Sequence, residues 1–249
     1  MNRKLFVILS ALLALALILT ACAPAAQKIT VATDATFKPF EYTDDNGNLV
    51  GFDIDLMNEI AKKADLQIEW VNIPFESLLS GLATCQYDMA IAGISIDPER
   101  QKQMLFSDPY MDAGLVVVVQ KNNTTINSKD DLKGLKVSAQ LGTTGEIEAK
   151  KIEGVTYKPY DTFDLAFLDL ANGQIDAVIA DNPVALGFIA ANPDKLKTAG
   201  PVFNSEQYGI AMCKSKTDLQ TKVNTALKEL VADGTITDLA KKDLAPAGQ

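Results

Sequence analysis

The 249-residue chain has no histidine. A Ser-His-Asp triad is therefore excluded, and so are most zinc sites. Cysteine is scarce, at three residues, and no Gly-x-x-x-x-Gly-Lys-Ser/Thr run occurs, so nothing points to nucleotide hydrolysis. Basic residues are outnumbered, 23 Lys and Arg against 32 Asp and Glu, for a formal net charge of −9. That deficit argues against a nucleic-acid surface and against a polybasic membrane patch.

What the first residues hold is a short cationic stretch, Asn2-Arg3-Lys4, followed by an apolar run from Leu5 to Ala21 interrupted only by Ser10 and Thr20. This is the pattern of a secretory signal. An uncleaved anchor is the alternative, because about 17 apolar residues stand at the lower limit for a spanning helix. The end of the run, Leu19-Thr-Ala-Cys22, resembles the lipobox of bacterial lipoproteins, which implies acylation of Cys22 and an extracytoplasmic protein tied to the cell membrane by its lipid (palmitate) alone. Loss of residues 1–21 removes Arg3 and Lys4, leaving 228 residues and a net charge of −11. That length suits one large domain or two small ones.

With Cys22 acylated, Cys85 and Cys213 remain, an even pair in an oxidising compartment. Each sits beside an expected strand, where buried free cysteine is common, so two free thiols are expected ahead of a disulfide.

Short β-like runs alternate with helical ones: Ile29 to Thr33, Phe52 to Ala64, Ile68 to Val71, Phe75 to Ala83, Met89 to Ile94. The pattern predicts an α/β fold with mostly parallel strands. Phe52, Leu56, Ile60 and Ala64 share one helical face, and Asp53 is placed to cap that helix. Towards the end, helices are predicted from Asp218 to Asp233, with Leu219, Val223, Leu227, Leu230 and Val231 inward, and from Ile236 to Leu244, separated by Gly234.

An internal echo recurs at a spacing of 88 residues: Phe75 with Phe163, Leu82-Ala83 with Leu170-Ala171, Gln86 with Gln174, Asp88 with Asp176, Ile91-Ala92 with Ile179-Ala180. One helix-turn-strand unit used twice implies two similar lobes. The shared position of Asp88 and Asp176 suggests turn chemistry. Two β-rich runs, Gly114 to Gln120 and Glu206 to Met212, are expected to carry the chain between lobes, giving a signal over 1–21, a tether over 22–27, one lobe from 28–113 with 207–249, and the other from 114–206.

Open α/β sheets bind ligands at the carboxyl ends of their strands. Those ends supply Asp34 and Phe37, Gly93 and Ser95, the Gly142-Thr-Thr-Gly145 turn, and Asp181. The turn precedes a helix predicted near Glu146, whose free N–H groups favour an anion. Arg100 follows the strand ending at Ser95 and is suited to hold a carboxylate with both arms of its guanidinium. On this segment alone, a surface arginine paired with Glu99 or Asp97 fits equally well.

Gly51-Phe-Asp-Ile-Asp-Leu56, followed by Ile60-Ala61 and Ala64, and Phe106-Ser-Asp-Pro-Tyr110 resemble the fingerprint of extracytoplasmic solute-binding proteins of family 3. The resemblance implies a type II periplasmic binding protein, two α/β lobes joined by two crossing hinge strands. It implies a polar amino acid as ligand, an ABC permease and its ATPase as partners, a monomer, and no cofactor or metal. By the same resemblance Arg100 binds the α-carboxylate, Ser95 and Gly93 hold ammonium and carboxylate, the Thr144 N–H meets the carboxylate, and Asp181 pairs with the α-ammonium. Phe37 and Phe75 become aromatic walls, and Asp34 reaches the distal end of the ligand side chain. In the glutamine-binding branch a lysine neutralises that aspartate; Gln140 stands there in this chain, and Ala180 replaces a histidine. An aspartate left uncompensated between aromatic faces suits a cation, so arginine or lysine is expected ahead of glutamine. The competing expectations are an enzyme on the same fold, of the cyclohexadienyl dehydratase type, and a protein that signals to a receptor.

Overall fold

The structure, a computed structural model, describes residues 28–244. The expected signal, Cys22 and most of the tether lie outside the described residues. Two five-stranded sheets are present. In the first, Ile68–Asn72, Ile29–Thr33 and Met89–Ala90 run parallel, followed by Ala211–Cys213 antiparallel and Met104–Phe106. The second repeats this order with Thr156–Tyr160, Lys136–Gln140 and Ala177–Asp181 parallel, then Leu115–Gln120 and Leu196–Ala199. No described helix is long and apolar enough to cross a membrane.

The sequence echo is a structural one. Helices Phe75–Ala83 and Phe163–Ala171 are both nine residues long and stand 88 positions apart. Asp88 and Asp176 do more than shape turns: Asp88 Oδ2 accepts Thr30 N–H at 2.8 Å, and Asp176 Oδ2 accepts Lys136 N–H at 2.8 Å. In each lobe this carboxylate satisfies the first N–H region of the neighbouring strand and so fixes where the pair begins.

The connection between lobes departs from expectation. Leu115–Gln120 is an interior strand of the second sheet, with Leu115, Val118 and Val119 fully buried. The crossing ribbon lies just before it, Met111–Ala113 paired antiparallel with Glu206–Tyr208. A five-residue apolar run buried on both faces reads as a connector only when its neighbours are unknown. A three-stranded antiparallel sheet of Thr36–Phe37, Glu41–Thr43 and Leu49–Val50 was not anticipated, because strands of two or three residues carry no periodicity.

Three further corrections come from packing. Helix Thr217–Ala232 buries Leu219, Val223, Leu227 and Leu230, but Val231 is 65% exposed, one position off that face. Helix Phe52–Lys63 is capped at Gly51 without a side-chain hydrogen bond. Asp53 instead turns inward, fully buried, and accepts Gly93 N–H and Tyr110 O–H, each at 2.8 Å. Cys85 and Cys213 form a disulfide, with Cα atoms 5.0 Å apart.

Asp53 lies beside Glu41, also fully buried. Burial pushes the Asp53 carboxyl up to about 6, against the lowering effect of its bonds to Gly93 and Tyr110, and burial beside Asp53 pushes Glu41 well above the carboxylate range. A carboxyl whose folded pKa is raised holds its proton where the unfolded chain has released it, so its stability contribution fades as pH rises through the folded pKa. Between about pH 4 and 7 the ligand-free protein is therefore expected to lose stability as pH rises. Thermal unfolding at pH 5 and pH 8 checks this; Asp53→Asn should flatten the profile, and a midpoint that climbs towards pH 8 in the wild type contradicts it.

Candidate functional site

Four strands deliver their carboxyl ends to one place. Ile29–Thr33 leads to Asp34, Met89–Ala90 to Gly93 and Ser95, Lys136–Gln140 to the turn at Gly142, and Ala177–Asp181 ends on Asp181. Between them lies a narrow cavity. Seven of the nine expected ligand residues line it, namely Phe37, Phe75, Gly93, Ser95, Arg100, Thr144 and Asp181, and Thr143 is added.

Gly93 is at φ +52, and a Cβ there would lie 2.6 Å from the Phe37 ring. The glycine both permits the turn and lets the aromatic wall approach. Its N–H, held by Asp53, fixes this strand end from beneath.

Arg100 is placed by a short helix, Pro98–Gln103, whose cap Asp97 accepts the N–H groups of Glu99 and Arg100 at 2.8 and 3.1 Å, with Pro98 in the first turn. The surface ion-pair alternative does not hold. Glu99 pairs with Lys102 at 2.6 Å, while Arg100 is only 9% exposed. Its Nη1 donates to Ser95 O at 2.8 Å and its Nη2 to Gly142 O at 2.9 Å, and its guanidinium lies 5.6 Å from the Phe75 ring centre. Burial lowers its pKa, opposed by Asp181, Asp97 and Glu206. Two of its five N–H donors go to carbonyls, so the others are available for an anion.

Opposite in charge, Asp181 is buried and its Oδ1 has no hydrogen-bond partner among the described residues. Burial, with Glu206 nearby, pushes its carboxyl up to about 7 against the pull of Arg100 and of the neighbouring Tyr208 hydroxyl. A buried acceptor in that condition gains from a cationic donor.

Asp34 and Gln140 are one step back from the lining residues: Asp34 sits against the Phe75 backbone, and the two meet each other. Gln140 Nε2 donates to Asp34 Oδ2 at 2.7 Å and to Asp161 O at 3.0 Å, while Thr36 Oγ1 donates to Asp34 Oδ1 at 2.9 Å. Burial raises the Asp34 pKa, and these hydrogen bonds counter it. The amide gives Asp34 a donor without cancelling its charge.

One residue that sequence reasoning overlooked is Glu206, whose Oε2 accepts Ser95 O–H at 2.5 Å and Thr144 O–H at 2.8 Å. A carboxylate opening the otherwise mostly apolar run to Met212 was the available signal. Among the described residues no group of His, Cys, Asp and Glu is arranged to hold a metal ion.

Comparison with known proteins shows the family and the fold. The profile of bacterial extracellular solute-binding proteins, family 3, matches residues 29–244. The ABC transporter arginine-binding protein 1 of Escherichia coli is 37% identical over 219 residues, 86% of this chain and 89% of that protein. An ancestral arginine-binding protein is 43% identical in its arginine-bound structure (TM-score 0.85, covering 89% of this chain and 100% of that one) and in its glutamine-bound structure (TM-score 0.80, 87% and 97%). The arginine-, lysine-, histidine-binding protein ArtJ of Geobacillus stearothermophilus is 39% identical with a TM-score of 0.82, covering 87% and 95%. Fold and sequence agree over residues 29–244, and the chain belongs to the bacterial extracellular solute-binding proteins of family 3.

Proposed function

We propose that the protein captures a polar amino acid, arginine or lysine ahead of glutamine, between its lobes and delivers it to an ABC importer, while anchored to the cell membrane through acylated Cys22. The observation that carries this is one cavity lined by both Arg100 and Asp181, the Oδ1 of Asp181 having no hydrogen-bond partner among the described residues. A zwitterion supplies the complement of both, and charge-assisted hydrogen bonds restore what desolvation removes. Ligand side-chain choice rests on Asp34, whose partner from the second lobe is a neutral Gln140 amide in place of a cation. The arginine- and lysine-binding relatives agree with a cation there, and the glutamine-bound ancestral structure supplies the runner-up.

Native mass spectrometry of the purified protein followed by thermal shifts with the twenty amino acids tests the proposal. A ligand at 100 times its Kd adds about 2.7 kcal/mol to stability, which at this chain length raises the midpoint by roughly 5–10 °C. Shifts with glutamine and none with arginine or lysine would reverse the preference within the class. A dehydratase is the second reading, because a carboxyl that keeps a proton near neutrality, as Asp181 does, can act as a general acid. Release of phenylpyruvate from prephenate would favour it.

A further inference from the structure

Glu206 stands behind the cavity on the crossing ribbon, paired with Ala113. One of its oxygens, Oε2, receives two hydroxyls at once: Ser95 Oγ from the first lobe at 2.5 Å and Thr144 Oγ1 from the second at 2.8 Å. The other oxygen, Oε1, accepts Asn204 Nδ2. Asn204 is itself oriented, because its Oδ1 accepts Leu115 N–H at 2.6 Å, which forces its amide nitrogen towards Glu206.

A hydroxyl has one proton to donate, and a carboxylate has none. Ser95 and Thr144 have thus given their single protons to Glu206, and towards the cavity each can offer only lone pairs. We propose that Glu206 is a positioning residue that sets the hydrogen-bond polarity of this wall, turning Ser95 and Thr144 into acceptors that admit an ammonium and give nothing to a carboxylate. With the Asp181 carboxyl, which also lines the cavity, the wall presents three acceptor groups to the three N–H bonds of an α-ammonium. A carboxylate is left to Arg100 and to the first N–H groups of helix Thr144–Lys151. The orientation of the bound solute is fixed by where two hydroxyl protons go. This proposal rests on the amino acid reading above and adds to it a residue outside the cavity lining.

The test uses ligands that differ only at the ammonium. Calorimetry compares L-arginine with 5-guanidinopentanoate, and L-glutamine with glutaramate, on the wild type and on Glu206→Gln. A glutamine side chain cannot accept both hydroxyls on one oxygen while also receiving the Asn204 amide on the other, so the hydroxyl protons are released to turn inward. The wild-type preference for the α-amino ligand should fall by roughly ten- to a hundred-fold in the variant, chiefly through weaker binding of the amino acid. Equal weakening of both ligands, with the preference kept, means that Glu206 only braces the ribbon and overturns the proposal. If Glu206→Gln does not fold, Thr144→Val removes one hydroxyl and keeps its shape and backbone; an unchanged preference there also overturns it. In a Ser95→Ala/Thr144→Val background, Glu206→Gln should produce no further change in preference, and a full additional loss would show that it acts by another route. Should the wild type bind no amino acid at all, the amino acid reading itself fails; should it bind one and keep its preference in the variants, only the role of Glu206 is lost.

Discussion

Arg100→Ala is expected to weaken binding of every amino acid the protein takes, by on the order of a hundred- to a thousand-fold, the range for removing one partner of a buried, hydrogen-bonded charge pair. The loss should be uniform across side chains. Arg100 lies on the Phe75 ring with its arms on the carbonyls of Ser95 and Gly142, and it lines the same cavity as Asp181, so it is placed to hold the backbone end of a ligand. Arg100→Lys should recover only part of the affinity, because an ammonium on a flexible stem cannot reproduce the two-armed geometry. Calorimetry with arginine, lysine and glutamine decides: a loss confined to the cationic ligands would mean that Arg100 reads side chains. Since Gly142 belongs to the second lobe, the alanine variant also removes a direct bond between lobes, and the free protein should become more expanded in small-angle scattering.

Most of the architecture could be read from local signals. The helix Phe75–Ala83 and the strand Ile29–Thr33 begin and end where periodicity placed them, because an amphipathic pattern bounded by Pro74 or by small polar residues leaves little freedom. The duplicated unit was legible for the same reason: the aspartate at 88 and 176 makes one bond in both lobes, so the residue could not drift in either copy. Misplaced elements were those whose environment is set by distant chain. Leu115–Gln120 is buried because it inserts beside Ala177–Asp181, some 60 residues later.

The candidate site divides along the same line. Strand ends and the Arg100 turn are local, and they brought seven residues to the cavity. Glu206 acts through Ser95 and Thr144, residues 111 and 62 positions away, and no window of sequence contains that triangle. Gln140 and Asp34, 106 positions apart, were paired by resemblance, and their contact places them together beside Phe75, which lines the cavity.

Replacing both Cys85 and Cys213 with alanine is expected to cost about 5 kcal/mol of stability, because the bond closes a loop of 128 residues and the loop-entropy model gives about 4.7 kcal/mol at 100 residues. At this size the midpoint should fall by roughly 10–20 °C. Position in the fold adds to the effect. Cys85 sits in the turn after helix Phe75–Ala83 and Cys213 ends the strand Ala211–Cys213, which threads between Met89–Ala90 and Met104–Phe106 after the second crossing. That strand is three residues long, and the N–H of Cys213 to Asp88 O at 3.0 Å is its main additional tie to the turn. Without the bond, the ladder of Ala211–Cys213 and the final helices should exchange amide hydrogen faster than the second lobe does, because the final segment is then held to the first lobe by short pairing, side-chain packing and a few polar ties such as Lys216 to Asp88 and Gln220 to Phe106 O. Ligand affinity at saturating stability should change little, since neither cysteine lines the cavity. Reduction of the wild type should reproduce the double variant; an unshifted midpoint under reducing conditions would mean that packing around Cys213 already fixes this strand and that the cross-link adds nothing to it.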